Sequence, residues 1–463
     1  MLKIINPATE EVVRELEEDT SDTVRQKAEA ARAAQPAWAR TPIDERLEVV
    51  RRFGRLVAEQ QERLAGILTS EMGKPIRQSR NEISALQARL DFFLEHTPTA
   101  LADEVVLREP GNGGADGMEE RIRYEPLGVI ANISAWNYPY FVGSNVFIPA
   151  LLTGNAVLYK PSEHATLTGY AIAGLLHEAG IPGDVFVPLM GGGSVGAALL
   201  EQEIDGVFFT GSHSTGRRIA EAVAGRMIPV QLELGGKDPV YVCDDVEVSS
   251  AAESLADGAF YNAGQSCCAV ERIYVHRHVA NTFVEAFLTA VRTFKVGDPC
   301  EEDTYIGPLA RREQLAVLEE QVAEAVKRGA QILYGGRRRE GAGYFFEPTV
   351  FGEVDHGMRV MREESFGPII GIQVVNDDTE AVEWMNDTDY GLTAGVYTTD
   401  RARAEAILTP VNAGSVYWNC CDRVSPRLPW TGRKHSGIGV TLSVAGIRAF
   451  VRPKAWHLRG SCS

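Results

Sequence analysis

The stretch NAGQSCCAVE, residues 262–271, sets two thiols side by side, Cys267 and Cys268. A thiolate is a strong nucleophile and forms covalent intermediates with carbonyl carbons. A free cysteine is also often a buried small hydrophobe. Both readings stand for each sulfur on residue type alone. In an extended segment the two side chains face opposite ways, so they need not share a site. Three further stretches carry the residue types of a phosphate or ribose site. VFVPLMGGGSVGAALLEQ contains G-x-G-x-x-G as Gly191, Gly193 and Gly196, after a strand pattern and opening a helix. The acidic residue that should follow about 20 positions on is missing, and FFTGS stands there. FFTGSHSTGRRI, residues 208–219, runs from strand through Gly211 and Ser212 into a helix start whose N–H groups can hold an anion. LYKPSE, residues 158–163, offers Lys160 and Glu163 to ribose hydroxyls. The plain alternative in each case is a glycine turn or a solvated charge.

The elements that must position these residues fall into distinct textures. Residues 20 to 106 read as helical: TSDTVRQKAEAARAAQPAW opens on cap-type residues, and TPIDERLEVVRRFGRLVAEQQERLAGILTSEMGKP has apolar steps of three and four before Gly-Lys-Pro stops it. REPGNGGADGMEE, residues 108–120, is a glycine-rich acidic break, and RIRYEPLG after it alternates like a strand. From 127 to 242 short apolar runs alternate with helical patterns, which implies a parallel sheet with helices on both faces. Such sheets bind ligands at the carboxyl ends of their strands. A second alternating region runs from 250 to about 418. The tail RAFVRPKAWHL is apolar and basic, suited to an edge strand that pairs with a partner chain.

A chain of 463 residues suggests about three domains. The formal charge of -17 argues against nucleic acid and anionic membrane as partners. The opening MLKIINPATEEVV turns acidic too early for a signal peptide, and no apolar run reaches the ~18 residues that span a bilayer. Seven cysteines at irregular spacing, without a CxxC pair, point to a reduced cytoplasmic protein with no disulfide and no bound metal.

Seven short strings then occur in order: AWNYP, KPSE, FTGS, ELGGK, GQSC, EESFGP and SGIG. Together they resemble the aldehyde dehydrogenase superfamily, over about residues 5 to 458. The resemblance implies an α/β fold in three parts. A Rossmann-like NAD-binding domain takes 1–107 and 127–234, and an α/β catalytic domain takes 235–438. A small β oligomerisation domain takes 108–126 and 439–463, built from a hairpin and the C-terminal strand, in a homodimer or homotetramer. The family pattern G-Q-x-C makes Cys267 the nucleophile and leaves Cys268 as a packing residue. It implies that Asn137 and the Cys267 N–H stabilise an oxyanion and that Glu233 is the general base. It places the pyrophosphate at Gly211 and Ser212 rather than at the literal fingerprint. Lys160 and Glu163 then hold the adenosine ribose, Trp136 lies by the cofactor, Glu364 holds the nicotinamide ribose and Phe366 packs near the ring. Glu163 repels a 2'-phosphate, which favours NAD over NADP, although some relatives use both. The implied reaction is oxidation of an aldehyde to an acid through a thiohemiacetal and a thioester that water hydrolyses. The alternative passes the thioester to coenzyme A, but those relatives typically lack the glutamate at the position of Glu233.

The substrate side is less determined. NCCDRVSPRLPW, residues 419–430, should face the aldehyde and holds Arg423, Arg427 and Trp430. Arg427 suits a semialdehyde acid; Tyr138 and Trp430 suit an apolar or aromatic one. Three residues depart from the family pattern. Ala135 replaces a common proline. Asn145 stands where some relatives line the tunnel with tryptophan, which makes it wider or more polar. Thr441 replaces an acidic residue, which leaves Glu233 without that secondary relay.

Overall fold

Thr20 opens the first helix: its hydroxyl accepts from the N–H of Thr23, whose own hydroxyl accepts from the N–H of Thr20. The computed structural model describes residues 1–110 and 117–459. Four helices follow one another, Ser21–Arg40, Ile43–Glu59, Gln61–Met72 and Ile76–Ala100. Their apolar steps bury one stripe, as with Leu47, Val50, Phe53 and Val57. In Ile76–Ala100 the buried stripe also carries Glu82 and Arg89.

The helical reading to 106 runs too far. The last helix stops at Ala100, and Glu104–Glu109 is a strand antiparallel to Met118–Pro126. The β-branched pair Val105-Val106 suits that conformation. Within the glycine-rich break, residues 111–116 lie outside the described residues. The N-terminal hairpin of Leu2–Ile5 with Val12–Leu16 was not legible as strand. Its residues are mostly exposed, so they show no core-facing alternation.

Two larger sheets carry the site. The first has the order Gly437–Ile438, Val230–Glu233, Gly206–Thr210, Val129–Ile133, Ala156–Lys160, Phe186–Pro188. All but the first strand are parallel. Chain order reverses at Val129–Ile133, where such sheets open a crevice at their carboxyl ends. Ser134–Asn137, Lys160, Gly211–Ser212 and Glu233 all lie at those ends.

The second sheet has seven strands in the order Gln331–Tyr334, Thr349–Gly352, Ile369–Val375, Val270–His276, Asp238–Val242, Thr393–Tyr397, Ser415–Trp418. Here the carboxyl-end rule fails. Gly235–Gly236, Cys267 and Glu364–Phe366 each precede a strand, so they gather at the amino ends and meet the carboxyl ends of the first sheet. A third sheet joins Val451–Arg459, Met118–Pro126 and Glu104–Glu109. The apolar tail therefore pairs first with its own chain, along its whole length.

Candidate active site

The cysteine turn is built on strained backbone. Asn262, Ala263 and Gly264 are consecutive left-handed residues, with φ of 54°, 55° and 69°. Only the glycine adopts this without strain. A Cβ on Gly264 would meet the Gly367 carbonyl at 2.3 Å. Gln265 then locks the segment. Its side chain donates to the Asn262 carbonyl at 3.1 Å and accepts from the Ala310 N–H at 2.9 Å. The Ala269 N–H donates to the Ser266 carbonyl at 3.2 Å, which closes a turn with Cys267 and Cys268 at its centre.

The two thiols are not on opposite faces of an extended segment. They sit together in this turn, Cys267 half-buried and Cys268 buried. Cys268 is also more than packing, because its Sγ donates to Asp422 at 2.9 Å. Its thiol is pushed well above the ordinary range by the Cys267 thiol beside it, then by burial and by Asp422. Cys268 therefore stays protonated at neutral pH.

Asn137 reaches this turn from the first sheet. Its Nδ2 donates to the Gln265 carbonyl at 3.2 Å. Its own carbonyl accepts from Lys74 Nζ at 2.8 Å and from Asn262 Nδ2 at 3.4 Å. Lys74 is fully buried and ion-paired with Glu82, whose other oxygen accepts from the Tyr140 N–H at 2.9 Å. Sequence reasoning saw Gly-Lys-Pro only as a helix stop and missed this pair.

Glu233 ends its strand buried, and burial raises its carboxyl to about 7. Thr441, also buried, donates to Oε1, and Thr210 donates to Oε2 at 3.5 Å. The residue read as a lost relay is thus a direct hydrogen-bond partner of the base. The backbone of Thr441 pairs with that of Trp430, which is buried in the same apolar cluster as Cys268 and Tyr140. Gly236 lies against the cysteine turn, since a Cβ there would approach the Cys267 carbonyl to 2.8 Å.

The cofactor residues divide by the donors they leave free. The literal fingerprint fails as an anion site because the Gly192 N–H already donates to Glu18, at 3.1 Å. The helix His213–Val223 opens differently. Ser212 is its exposed N-cap and accepts from the Thr215 N–H at 3.4 Å, with no carboxylate among the described residues bonded to it. Lys160 Nζ lies 3.7 Å from Glu163. Trp136 stands edge-on to Phe366, centroids 5.5 Å apart, and edge-on to His164 at 6.4 Å. Phe366 is held at φ 46°, a strained value for a bulky residue. Its N–H and that of Ser365 both donate to the buried Glu271, which pairs with Lys237. Glu364 accepts from the Gly236 N–H at 3.1 Å, and burial raises it to about 8. Glu271 had no motif to reveal it. These groups fit a dinucleotide: free helix N–H groups for phosphate, a cation–carboxylate pair for ribose, and aromatic walls.

On the substrate side Tyr138 lies parallel to Phe141, with Lys74 Nζ 3.8 Å over its ring. Arg427 and Arg423 are exposed, and the Arg427 side chain bonds to none of the described residues. The arginine that is buried here is Arg89, whose Nε donates to Asn145 at 3.2 Å. Asn145 is itself buried, so the position reads as polar rather than open. Elsewhere, Asp244, His276 and His278 bring possible ligand atoms within 4.8 Å, but Arg403 occupies Asp244 at 2.8 Å.

A sequence model of the aldehyde dehydrogenase family matches residues 1–456. The chain is 34% identical over 462 residues to peroxisomal aminoaldehyde dehydrogenase 1 of Malus domestica, covering 98% of this chain and 91% of that one. It superposes with a TM-score of 0.94 on betaine aldehyde dehydrogenase of Staphylococcus aureus in complex with NAD+, at 31% identity and covering 99% and 91% of the two chains. It is equally similar, TM-score 0.94, to a 3,6-anhydro-L-galactose dehydrogenase in complex with NADP, at 32% identity with 99% and 96% covered.

Proposed function

The chain belongs to the aldehyde dehydrogenase family, and from that premise we propose that it oxidises an aldehyde to a carboxylic acid with NAD(P)+, through an acylated Cys267. One observation carries the reading. The first sheet delivers Asn137 to the turn that holds Cys267 and bonds it there, and Glu233 ends a strand of the same sheet.

The Cys267 sulfur attacks the aldehyde carbon, and Glu233 takes the thiol proton. The Asn137 amide has two N–H groups. One is spent on the Gln265 carbonyl, and the other is left, with the Cys267 N–H, for the oxyanion. Bound NAD(P)+ supplies the hydride acceptor that carries the thiohemiacetal to a thioester. Lys160 and Glu163 would hold its adenosine ribose, Gly211 and Ser212 its pyrophosphate and Glu364 its nicotinamide ribose, and Trp136 and Phe366 would flank it. Glu233 gives the thiol proton up to solvent and, ionised again, deprotonates the water that releases the acid, a task matched to a carboxyl near 7. Glu163 at the ribose favours NAD+ over NADP+. The NAD-binding part comprises 1–107 and 127–234, the catalytic part 235–438, and the oligomerisation part 108–126 and 439–463. The third sheet exposes Val105, Val106 and Leu458, which supports its use in a homodimer or homotetramer. No helix among the described residues is long and apolar enough to cross a membrane. The free cysteines suit a reducing, cytoplasmic setting.

The test is NADH absorbance with a panel of aldehydes, with and without coenzyme A, and with NADP+ replacing NAD+. Acid and NADH should form without coenzyme A, and NADP+ should be the poorer acceptor until Glu163→Ser relaxes the choice. Cys267→Ala should abolish turnover, while Cys268→Ala keeps most of it. Equal loss in both variants would assign the nucleophile wrongly, and NADH only with coenzyme A would overturn hydrolysis.

A further inference from the structure

Arg89 is 6% exposed, on the buried stripe of the helix Ile76–Ala100. Its Nε donates to Asn145 at 3.2 Å, and its guanidinium carbon lies 3.8 Å from the centroid of the Phe141 ring. These two contacts fix the plane of the fork. Nη1 and Nη2 have no hydrogen-bond partner among the described residues, yet they are not sealed from solvent. Other buried cations are satisfied differently. Lys74 has Glu82, Lys237 has Glu271, and Arg272 donates to the carbonyls of Lys237, Trp384 and Met385. Among the ionisable groups that act on Arg89 are Glu82 first, then Cys268 and Glu233, and the Phe141 ring beneath it stacks on Tyr138, the sequence neighbour of Asn137. Burial lowers the guanidinium to about 10, so it remains a cation at neutral pH.

A buried, oriented fork with two idle donors matches a planar acceptor with two oxygens. The neighbouring aromatic faces are already taken. Lys74 covers Tyr138 and Arg89 covers Phe141, which leaves those faces poorly placed to hold a cationic head group. Asp422, the nearby carboxylate, accepts from Cys268 at 2.9 Å and Ser266 at 3.3 Å.

We propose that Arg89, aimed by Asn145 and Phe141, binds the carboxylate at the far end of the aldehyde, so that the substrate is a semialdehyde acid and the product a dicarboxylic acid. This rests on the aldehyde dehydrogenase reading and names its substrate class. It departs from the relatives whose names specify aminoaldehydes or betaine aldehyde.

The test compares kcat/KM of the full-length enzyme with NAD+ for 4-oxobutanoate, 5-oxopentanoate, butanal and 4-trimethylammoniobutanal. At least one acid should exceed butanal by about tenfold or more, the value of a charged hydrogen bond, and the cation should be poorest. Arg89→Met should reduce the acid-to-butanal ratio by about tenfold, chiefly through KM, and Arg89→Lys should recover part of it. Asn145→Ala, which frees Nε, should lower the ratio less. Glutarate should protect Cys267 from alkylation in the wild type and not in Arg89→Met, a readout independent of turnover. A wild-type ratio near one, a preference for the cation, or a ratio indifferent to Arg89→Met overturns the proposal while leaving the dehydrogenase intact. If no aldehyde yields NADH the dehydrogenase reading fails, and the protection of Cys267 still decides whether Arg89 holds a carboxylate.

Discussion

Thr441 donates to Glu233, the proposed base, and so bears on the pH range in which that base would work. Glu233 is raised to about 7 by burial, and the hydrogen bond from Thr441 pulls it back down. Only the carboxylate accepts a proton from water, so deacylation should rise with pH through about 7. Thr441→Val removes the donor without changing shape much. A hydrogen bond to a charged group is worth about 1.5–3 kcal/mol, so the acid limb should move up by about one to two pH units. Single-turnover deacylation measured from pH 5.5 to 9 checks this; a limb that stays in place removes Thr441 from control of the base. The motifs singled out Cys267, Asn137 and Glu233, each within a short string, and the structure bonds Asn137 to the cysteine turn. Thr441 was visible only as a departure, because a sequence shows which residue is missing and not what the replacement touches. Arg89 and Lys74 were invisible for a related reason. They come from a region remote in sequence, Arg89 inside the amphipathic stripe of Ile76–Ala100 and Lys74 in the connection that precedes that helix, and neither setting gives a charge a local mark of function.

Among the elements, the segment Glu363–Phe366 depends on one buried carboxylate. Glu271 accepts from the N–H groups of Ser365 and Phe366 and pairs with Lys237. It thereby holds Phe366 at its strained φ against Trp136. Glu271→Gln keeps the shape but leaves Lys237 buried without a counter-charge, at a cost of about 3 kcal/mol. Urea unfolding should show that loss, and KM for NAD+ should rise more than kcat falls, because the segment faces the cofactor. An unchanged KM would make Glu271 a purely structural acid. The strand and helix periods were legible across both large sheets, since burial on one face writes the period into the sequence. The gathering of Cys267, Gly235–Gly236 and Glu364 at amino ends was not. It depends on how the second sheet meets the first, which no local pattern encodes. The cysteine turn escaped as well, because nothing about Ala263 announces a left-handed conformation.

At the scale of the whole molecule, the buried acids that serve the site should tilt stability against alkaline pH. Burial raises Glu71 and Glu233 to about 7, and Asp238 and Glu364 to about 8. In the unfolded chain such groups titrate near 4. Between about pH 4.5 and about 8 the folded chain therefore holds more protons than the unfolded one. By linkage stability falls as pH rises through that window, and the full contribution is present only below it. Carboxylates paired with arginine, such as Asp378 with Arg403 and Asp387 with Arg362, are held below their usual values and act the other way, at more acid pH. Maximum stability should thus lie on the mildly acid side of neutrality. Asp238 isolates the effect, because it lies on the second sheet and, among the described residues, accepts from the Thr393 backbone and hydroxyl alone. Asp238→Asn keeps an oxygen for the Thr393 N–H, turns the second contact round so that its NH2 donates to the Thr393 hydroxyl, and removes the titration, so its slope should be shallower by up to about 1.4 kcal/mol per pH unit near neutrality. Thermal unfolding of the cofactor-free enzyme at pH 5.5, 7 and 8.5 should show Tm falling with pH in the wild type and falling less in Asp238→Asn. A wild-type Tm that climbs across this range, or two parallel lines, would mean that Asp238 folds already ionised and that its burial is matched by charge the structure does not show.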